Sequence, residues 1–152
     1  MTIGDALKGS AIARNEAEIL LAHVLMADRT AVLAHPEQLL TAEQAQEITE
    51  LFTRRRKDEP MGYILGSVEF YGRMFKTDAR ALIPRSPTES LVELAMEFLT
   101  SPAEKTKLID TGIAGWSHVL RPELAIKTIV DIGTGAGCIA VTLALELPNM
   151  RI

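Results

Sequence analysis

The sequence has few of the features that mark secreted or membrane-spanning proteins. Its 152 residues include one cysteine, Cys138, so no disulfide can form within the chain, and this usage fits a reducing compartment. No apolar run approaches the roughly 20 residues that a membrane-spanning helix needs. The first ten residues, MTIGDALKGS, lack the basic stretch and apolar core of a secretory signal. We therefore expect a cytoplasmic protein with no membrane partner.

Positive charge is also scarce. The chain has 16 Lys and Arg against 20 Asp and Glu, a formal net charge of −4, so no overall field favours direct binding of nucleic acid. The histidines, His23, His35 and His118, are too scattered in the sequence to predict a metal site. Hydrophobic residues make up 47% and charged residues 24% of the chain, which is the balance of a globular protein.

The first sixty residues have the apolar periodicity of a helical bundle. Apolar side chains recur on one face over residues 15–26, and a shorter apolar segment at 30–34 precedes His35 and Pro36. Thr41 and Gln44 have the spacing of a capping box, which predicts that a strong helix begins there. That helix is expected to end in the basic run 54–57, whose charge complements the helix dipole. We predict a helical domain over residues 1–60.

Residues 58–87 differ, because glycines separate short apolar and aromatic runs. Tyr63-Ile64-Leu65, Val68-Glu69-Phe70-Tyr71 and Met74-Phe75 predict a β-hairpin with its turn near Gly72-Arg73, and we assign residues 61–87 as a hairpin linker. Residues 82–85 are expected to be extended because the residues before Pro84 avoid the helical region.

Thr88 is predicted to cap a helix that ends near Leu99. The residues predicted on its buried face are Leu91, Val92, Leu94, Ala95, Phe98 and Leu99. Residues 101–127, which two glycines and two prolines interrupt, are interpreted as a loop with one short helix.

A glycine-rich segment follows a short apolar run near the end of the sequence. The apolar residues Ile129, Val130 and Ile132 predict a buried strand, and residues 136–147 predict a helix. Glycines between the two let backbone amides approach a small ligand. A dinucleotide fingerprint needs glycine where Cys138 stands, which argues against NAD and FAD. S-adenosylmethionine has no pyrophosphate, and its carboxylate suits the free amides of a helix N-terminus.

The candidate cofactor-binding residues are Asp131, Gly133, Thr134, Gly135, Ala136 and Gly137. Asp131 is placed to accept hydrogen bonds from the loop amides or from the ligand's ammonium group. A structural alternative stays open, since any parallel α/β protein can use glycines for tight packing of strand and helix. Cys138 is interpreted as a small buried residue rather than a nucleophile, although a helix N-terminus can lower a thiol pKa.

Several segments occur in a specific order. They are EAEILLAHVL at 16–25, RRRKDEP at 54–60, YILG at 63–66, EFYG at 69–72, LIPR at 82–85 and DIGTG at 131–135. In this order they resemble the HemK-type (PrmC) glutamine methyltransferases that modify peptide chain release factors. The resemblance implies an α+β chain. Its parts are an N-terminal all-α helical bundle, a β-hairpin linker and, over residues 88–152, the first strand, glycine turn and helix of an incomplete Rossmann-like methyltransferase domain.

The resemblance also implies a function. Proteins of this family transfer a methyl group from S-adenosylmethionine to the side-chain amide of the glutamine in a Gly-Gly-Gln motif, and the helical domain is implied to help engage the release factor. Phe70, Thr88 and Glu89 are candidate cleft residues, with hairpin core as the alternative for Phe70. Thr88 and Glu89 match the family's Arg-Pro-Glu-Thr-Glu, whereas Ser86 and Pro87 depart from it.

The family's acidic ribose-binding residue and its Asn-Pro-Pro-Tyr catalytic loop are expected beyond Ile152. We therefore assign no catalytic residue here and expect weak or absent cofactor binding and no turnover by this chain alone. An incomplete sheet predicts exposed apolar surface and possible self-association through the unpaired edge. Two other hypotheses stay open. They are a non-catalytic helical module that binds a release factor or another protein, and a different α/β nucleotide-binding enzyme.

Overall fold

The computed structural model describes residues 1–100, 108–110, 117–119 and 128–152. The chain divides into two compact units. The first consists of Met1–Val68 and Lys76–Ile83, and the second of Glu69–Phe75 and Pro84–Ile152. Within the described ranges, no helix has both the length and the apolar character needed to cross a bilayer.

Five helices are described in the first unit, and several begin at a polar cap. The helices are α1 (Ile3–Gly9), α2 (Arg14–Leu25), α3 (Arg29–Ala34), α4 (Ala42–Arg56) and α5 (Met61–Leu65). The predicted capping box is confirmed, because Thr41 Oγ1 accepts from the Gln44 amide at 3.2 Å and Gln44 Oε1 accepts from the Thr41 amide at 3.0 Å. Helix α1 was not predicted, although Thr2 and Asp5 form the same kind of box.

The core of the first unit lies between these helices. Its fully buried members include Ile3, Ala17, Leu20, Leu21, Val32 and Ile48. The predicted apolar face of residues 15–26 is confirmed, since α2 contributes more of these side chains than any other helix, and Leu51 and Phe52 of α4 are buried beside them. At about 25 cal/mol per Å² of apolar surface, this burial is the main stabilising term for the bundle.

The hairpin is shorter than predicted. Strand β1 (Ser67–Phe70) pairs with β2 (Arg73–Lys76), and the turn lies at Tyr71 and Gly72. The expectation that Tyr63-Ile64-Leu65 belongs to the hairpin was wrong, because these residues form α5. One helical turn buries Ile64 in the core of the first unit, and Gly66, with a φ of 70°, ends the helix in the left-handed region that favours glycine.

The second unit contains two described helices and a small strand pair. A 3-10 turn, Ser86–Thr88, leads into α6 (Glu89–Thr100), and α7 spans Cys138–Glu146. Val92 of α6 is buried, but Leu91 and Leu94 are 52% and 45% exposed, so their predicted burial was wrong. The described apolar cluster contacts only a narrow stripe of α6, which Val92, Ala95 and Met96 form.

Strands β3 (Leu108–Asp110) and β4 (Ser117–Val119) form an antiparallel pair. The loop interpretation of residues 101–127 was therefore wrong at these two segments. The rest of that stretch, including the predicted short helix, lies outside the described residues.

The predicted strand at residues 129–132 does not form. Thr128 makes one parallel bridge with Arg151, and the Ile129 amide donates to the Arg151 carbonyl at 2.8 Å. A strand needs continuous hydrogen bonding to a neighbouring backbone, and no pairing of Val130–Ile132 is described. Val130 and Ile132 are 74% and 92% exposed, which confirms the prediction of exposed apolar surface in this part of the chain.

Candidate functional site

The glycine turn depends on a backbone conformation that other residues rarely adopt. Gly133, Gly135 and Gly137 have φ angles of 79°, 54° and 79°, all in the left-handed region. A Cβ built on Gly133 meets no atom within 4 Å, so the requirement at that position is conformational rather than steric. The alternating glycines therefore allow a tight turn whose backbone carries no side chain on these three residues.

Two hydrogen bonds shape the turn. Thr134 Oγ1 donates to Asp131 Oδ2 at 2.8 Å, and the Gly137 amide donates to the Thr134 carbonyl at 2.8 Å. Asp131 is half-buried, whereas Gly133, Thr134 and Gly135 are exposed. Among the described residues Asp131 Oδ1 accepts no hydrogen bond, which leaves this oxygen able to accept one from a ligand.

Helix α7 begins directly at the turn without a side-chain cap. Gly137 occupies the N-cap position, and its carbonyl accepts from the Val141 amide at 2.9 Å. The amides of the first turn precede that bond and have no intrahelical partner. Together with the positive end of the helix dipole, they suit a carboxylate or another anion. Ala136 and Gly137, at the junction of turn and helix, are half-buried.

Cys138 has the surroundings of a packing residue. Its side chain is 5% exposed and lies in the apolar cluster with Phe70, Val92 and Leu143. Burial raises the pKa of the Cys138 thiol, which opposes formation of the nucleophilic thiolate. Its predicted role as a small buried residue in the first helical turn is confirmed.

The candidate cleft residues have separate surroundings. Phe70 is fully buried, and its ring packs edge-to-face on Phe75 with 6.1 Å between centroids, which favours the hairpin-core interpretation. Glu89 Oε1 accepts from the Tyr71 amide at 2.9 Å, so this carboxylate holds the hairpin turn. Thr88 is half-buried in the 3-10 turn before α6.

The basic run at the end of α4 is engaged within the first unit. Arg55 Nε and NH2 each donate to a Glu16 carboxylate oxygen at 2.9 Å, and Arg54 makes a similar two-point contact with Glu59. These bonds raise the pKa of both arginines above its usual value. The contacts give Arg54 and Arg55 a structural role within the first unit.

A buried carboxylate in α2 was missed by the sequence reasoning. The Glu18 side chain is 7% exposed and accepts from Arg14 Nε and Arg29 NH2, each at 2.7 Å. The i, i+4 spacing of Arg14 and Glu18 was the available signal. Over the residues with described placement, no His, Cys, Asp or Glu side chains group in a way that could hold a metal ion.

Comparisons with known proteins agree with the sequence resemblance. Residues 3–66 match the PrmC N-terminal domain. The chain is 38% identical over 146 residues to the release factor glutamine methyltransferase of Escherichia coli, an alignment that covers 96% of this chain and 44% of that protein. It is 37% identical over 139 residues to the protein of the same name from Koribacter versatilis, with 91% and 42% covered.

A third relative is named differently. A bifunctional methyltransferase of Rickettsia bellii is 36% identical over 141 residues, with 90% of this chain and 25% of the relative covered. The chain thus spans less than half the length of these three relatives. The predicted resemblance to HemK/PrmC-type release factor glutamine methyltransferases is confirmed.

Proposed function

We propose that this chain supplies the recognition helices and part of the methyl-donor site of a release factor glutamine methyltransferase. The reaction transfers the methyl group of S-adenosylmethionine to the side-chain amide of the glutamine in a Gly-Gly-Gln motif, in the cytoplasm where translation terminates. The observation that carries the proposal is the turn at Gly133, Gly135 and Gly137, which combines left-handed glycines with an uncapped helix N-terminus. The names of the relatives support the substrate class.

The residues of the turn fit the chemical groups of this donor. Its sulfonium centre makes the methyl group electrophilic when the donor is bound. The free amides at the start of α7 suit the donor carboxylate, and the oxygen of Asp131 that Thr134 does not occupy suits its ammonium group. The absence of side chains at the glycines leaves the backbone accessible. We propose that these residues open the Rossmann-like part of the enzyme.

Methyl transfer to an amide needs further groups. The amide nitrogen is a poor nucleophile because its lone pair is delocalised into the carbonyl, so orientation and electrostatic stabilisation are the main rate terms. The 152 residues contain no Asn-Pro-Pro-Tyr sequence. We therefore propose that the chain by itself binds the donor weakly and does not turn over.

Ligand titration tests the donor assignment. S-adenosylmethionine and NAD are each titrated into the chain, with calorimetry for strong binding and saturation-transfer NMR for weak binding. We expect a signal for the methyl donor that falls about tenfold in Asp131→Asn, since hydrogen bonds to charged groups are among the strong ones. Asp78→Asn is the control, because Asp78 pairs with Arg80 in the first unit. Binding of NAD in preference to the donor would instead support a different α/β nucleotide-binding enzyme.

A second candidate function is a non-catalytic helical module that binds a release factor or another protein. The first unit favours it, because residues 3–66 have their own buried core and match a separately defined domain. A pulldown of a release factor by this chain, with no methyl transfer to the captured factor, would support this function.

Self-association is a further part of the proposal. It rests on the exposure of Val130 and Ile132, whose side chains are apolar. Light scattering tests it, and a monomer with strong amide protection throughout residues 128–147 would contradict it.

A further inference from the structure

Two charged side chains hold the hairpin turn of the second unit. Tyr71 has a φ of 52°, a left-handed conformation that costs free energy in a residue other than glycine. Its amide donates to Glu89 Oε1 at 2.9 Å, and its carbonyl accepts from Arg73 NH1 at 3.3 Å. The turn is therefore fixed on both sides by groups that bind its backbone.

Arg73 also reaches the far end of the helix that follows the glycine turn. Its NH2 group lies 2.5 Å from Glu146 Oε1, and the two side chains are 32% and 29% exposed. Glu146 is the last residue of α7, where a negative charge opposes the helix dipole, and the last turn of α7 has no basic residue to offset it. Arg73 compensates this unfavourable charge.

The same helix connects this ion pair to the ligand-binding turn. Helix α7 has 9 residues and follows its N-cap Gly137 directly, while Cys138 and Leu143 pack in one cluster with Phe70 of the hairpin. A helix of this length behaves as a rigid element, because each turn is hydrogen-bonded to the next. Holding its C-terminal end thus restricts the position of its N-terminal end.

We propose that Arg73 is a positioning residue for the glycine turn, acting through its ion pair with Glu146. The side chain need not touch a ligand to do so. The inference rests on the proposed function only for the identity of the ligand that the turn binds.

Amide hydrogen exchange tests the positioning role without any ligand. We expect Arg73→Met to speed exchange about three- to fivefold at the hydrogen-bonded amides of Gly137 and Val141, which is the size expected when a partly exposed ion pair is lost. Arg73→Lys keeps the charge and is expected to raise the exchange rate by no more than about twofold. Arg80→Met is the matched control, because Arg80 pairs with Asp78 in the first unit, and exchange at Gly137 and Val141 should then equal that of the unchanged chain.

A charge reversal separates the ion pair from other effects of the substitution. Arg73→Glu and Glu146→Arg alone should each speed exchange at the turn, and the two together should restore it to within about twofold. Equal acceleration in α6 and α7 would mean a general loss of stability and would overturn the positioning role. Unchanged exchange in Arg73→Met, or no rescue by the double reversal, would also overturn it.

Ligand titration then separates this inference from the proposed function. Arg73→Met is expected to weaken S-adenosylmethionine binding by about the same factor as it speeds exchange. If the unchanged chain binds no donor, the donor assignment fails, while the exchange data still decide the role of Arg73. If the donor binds equally well to Arg73→Met and to the unchanged chain, the positioning role fails and the donor assignment stands.

Discussion

The two units of this chain bury their apolar side chains to different degrees. In the first, Leu20, Leu21 and Ile48 are fully buried between short, well-packed helices. In the second, Val130 and Ile132 are 74% and 92% exposed although both are strongly apolar. Helical packing is completed by neighbours close in sequence, whereas a parallel strand depends on partners distant in sequence. The unit that contains the glycine turn therefore depends more on distant partners than the first unit does.

Side-chain caps at the helix N-termini are the second point of comparison. Thr2, Asp28 and Thr41 each accept a backbone hydrogen bond at the start of a first-unit helix. Helix α7 has no such cap at Gly137. A capped end satisfies its own amides and adds stability, whereas an uncapped end leaves amides for a ligand. Helices α2 and α5 of the first unit also start without a side-chain cap, so a missing cap does not by itself identify a binding helix.

The largest expected effect tests the contrast in packing. Ile48→Ala removes a fully buried side chain and should lower the free energy of unfolding by about 2–5 kcal/mol. In the dilute, monomeric chain Ile132→Ala, at a side chain 92% exposed, should change it by no more than about 0.5 kcal/mol. Urea unfolding followed by helical circular dichroism measures both. Comparable losses would mean that Ile132 is covered in solution, for example by a second copy of the chain.

The next effect concerns the backbone of the glycine turn. Gly133→Ala forces a residue with a Cβ to hold a φ of 79° and should cost about 1–2 kcal/mol locally, without any clash. Gly9→Ala is the control, since Gly9 ends α1 and its added Cβ also meets no atom. That change should be neutral or stabilise by up to about 1 kcal/mol. Thermal unfolding and amide exchange distinguish them, and equal effects would argue against the left-handed turn.

Removal of a helix cap should have a smaller effect. Thr41→Ala deletes the acceptor for the Gln44 amide and should cost about 1 kcal/mol, whereas Thr41→Ser keeps the oxygen and should lose little. Chemical denaturation compares the two variants. If both were as stable as the unchanged chain, the capping box would make no net contribution to the first unit.

The smallest expected effect is a change in stability at acidic pH. Hydrogen bonds from Arg29 and Arg14 lower the pKa of Glu18 below its ordinary value of 4.5. The stabilising contribution of the carboxylate is therefore complete above about pH 4.5 and is lost as the pH falls through the lower, folded-state pKa. Glu18→Gln should lower stability at pH 7 and show a flatter stability profile below pH 4.5. Exposed Glu47→Gln is the control, and an unchanged slope in Glu18→Gln would contradict the assignment.

Local signals in the sequence were sufficient for several features. The capping box at Thr41 and the apolar stripe of α2 were predicted correctly, because each depends on residues within one or two helical turns. The turn at residues 133–137 was also recognisable, since left-handed backbone favours glycine and three glycines alternate there. Helix α1 was missed, although Thr2 and Asp5 have capping-box spacing, because the helix is only 7 residues long.

Features that depend on partners distant in sequence were less predictable. Residues 63–65 have apolar and aromatic character that suits a strand, yet burial of Ile64 in the first unit makes them helical. The surroundings of the candidate cleft residues were also not predictable from local sequence. Phe70 is packed on Phe75, and Glu89 binds the Tyr71 amide across 18 residues of sequence.

The sequence by itself determined where α4 begins, which face of α2 is buried and where the glycine turn lies, because capping, periodicity and left-handed glycines act over a few residues. Only the tertiary structure decided that Arg73 pairs with Glu146 and that Glu18 is held by two arginines. It also decided that the apolar residues after Thr128 do not form a strand. Ion pairs and strands require partners brought together by folding, and their geometry is set by packing rather than by sequence spacing.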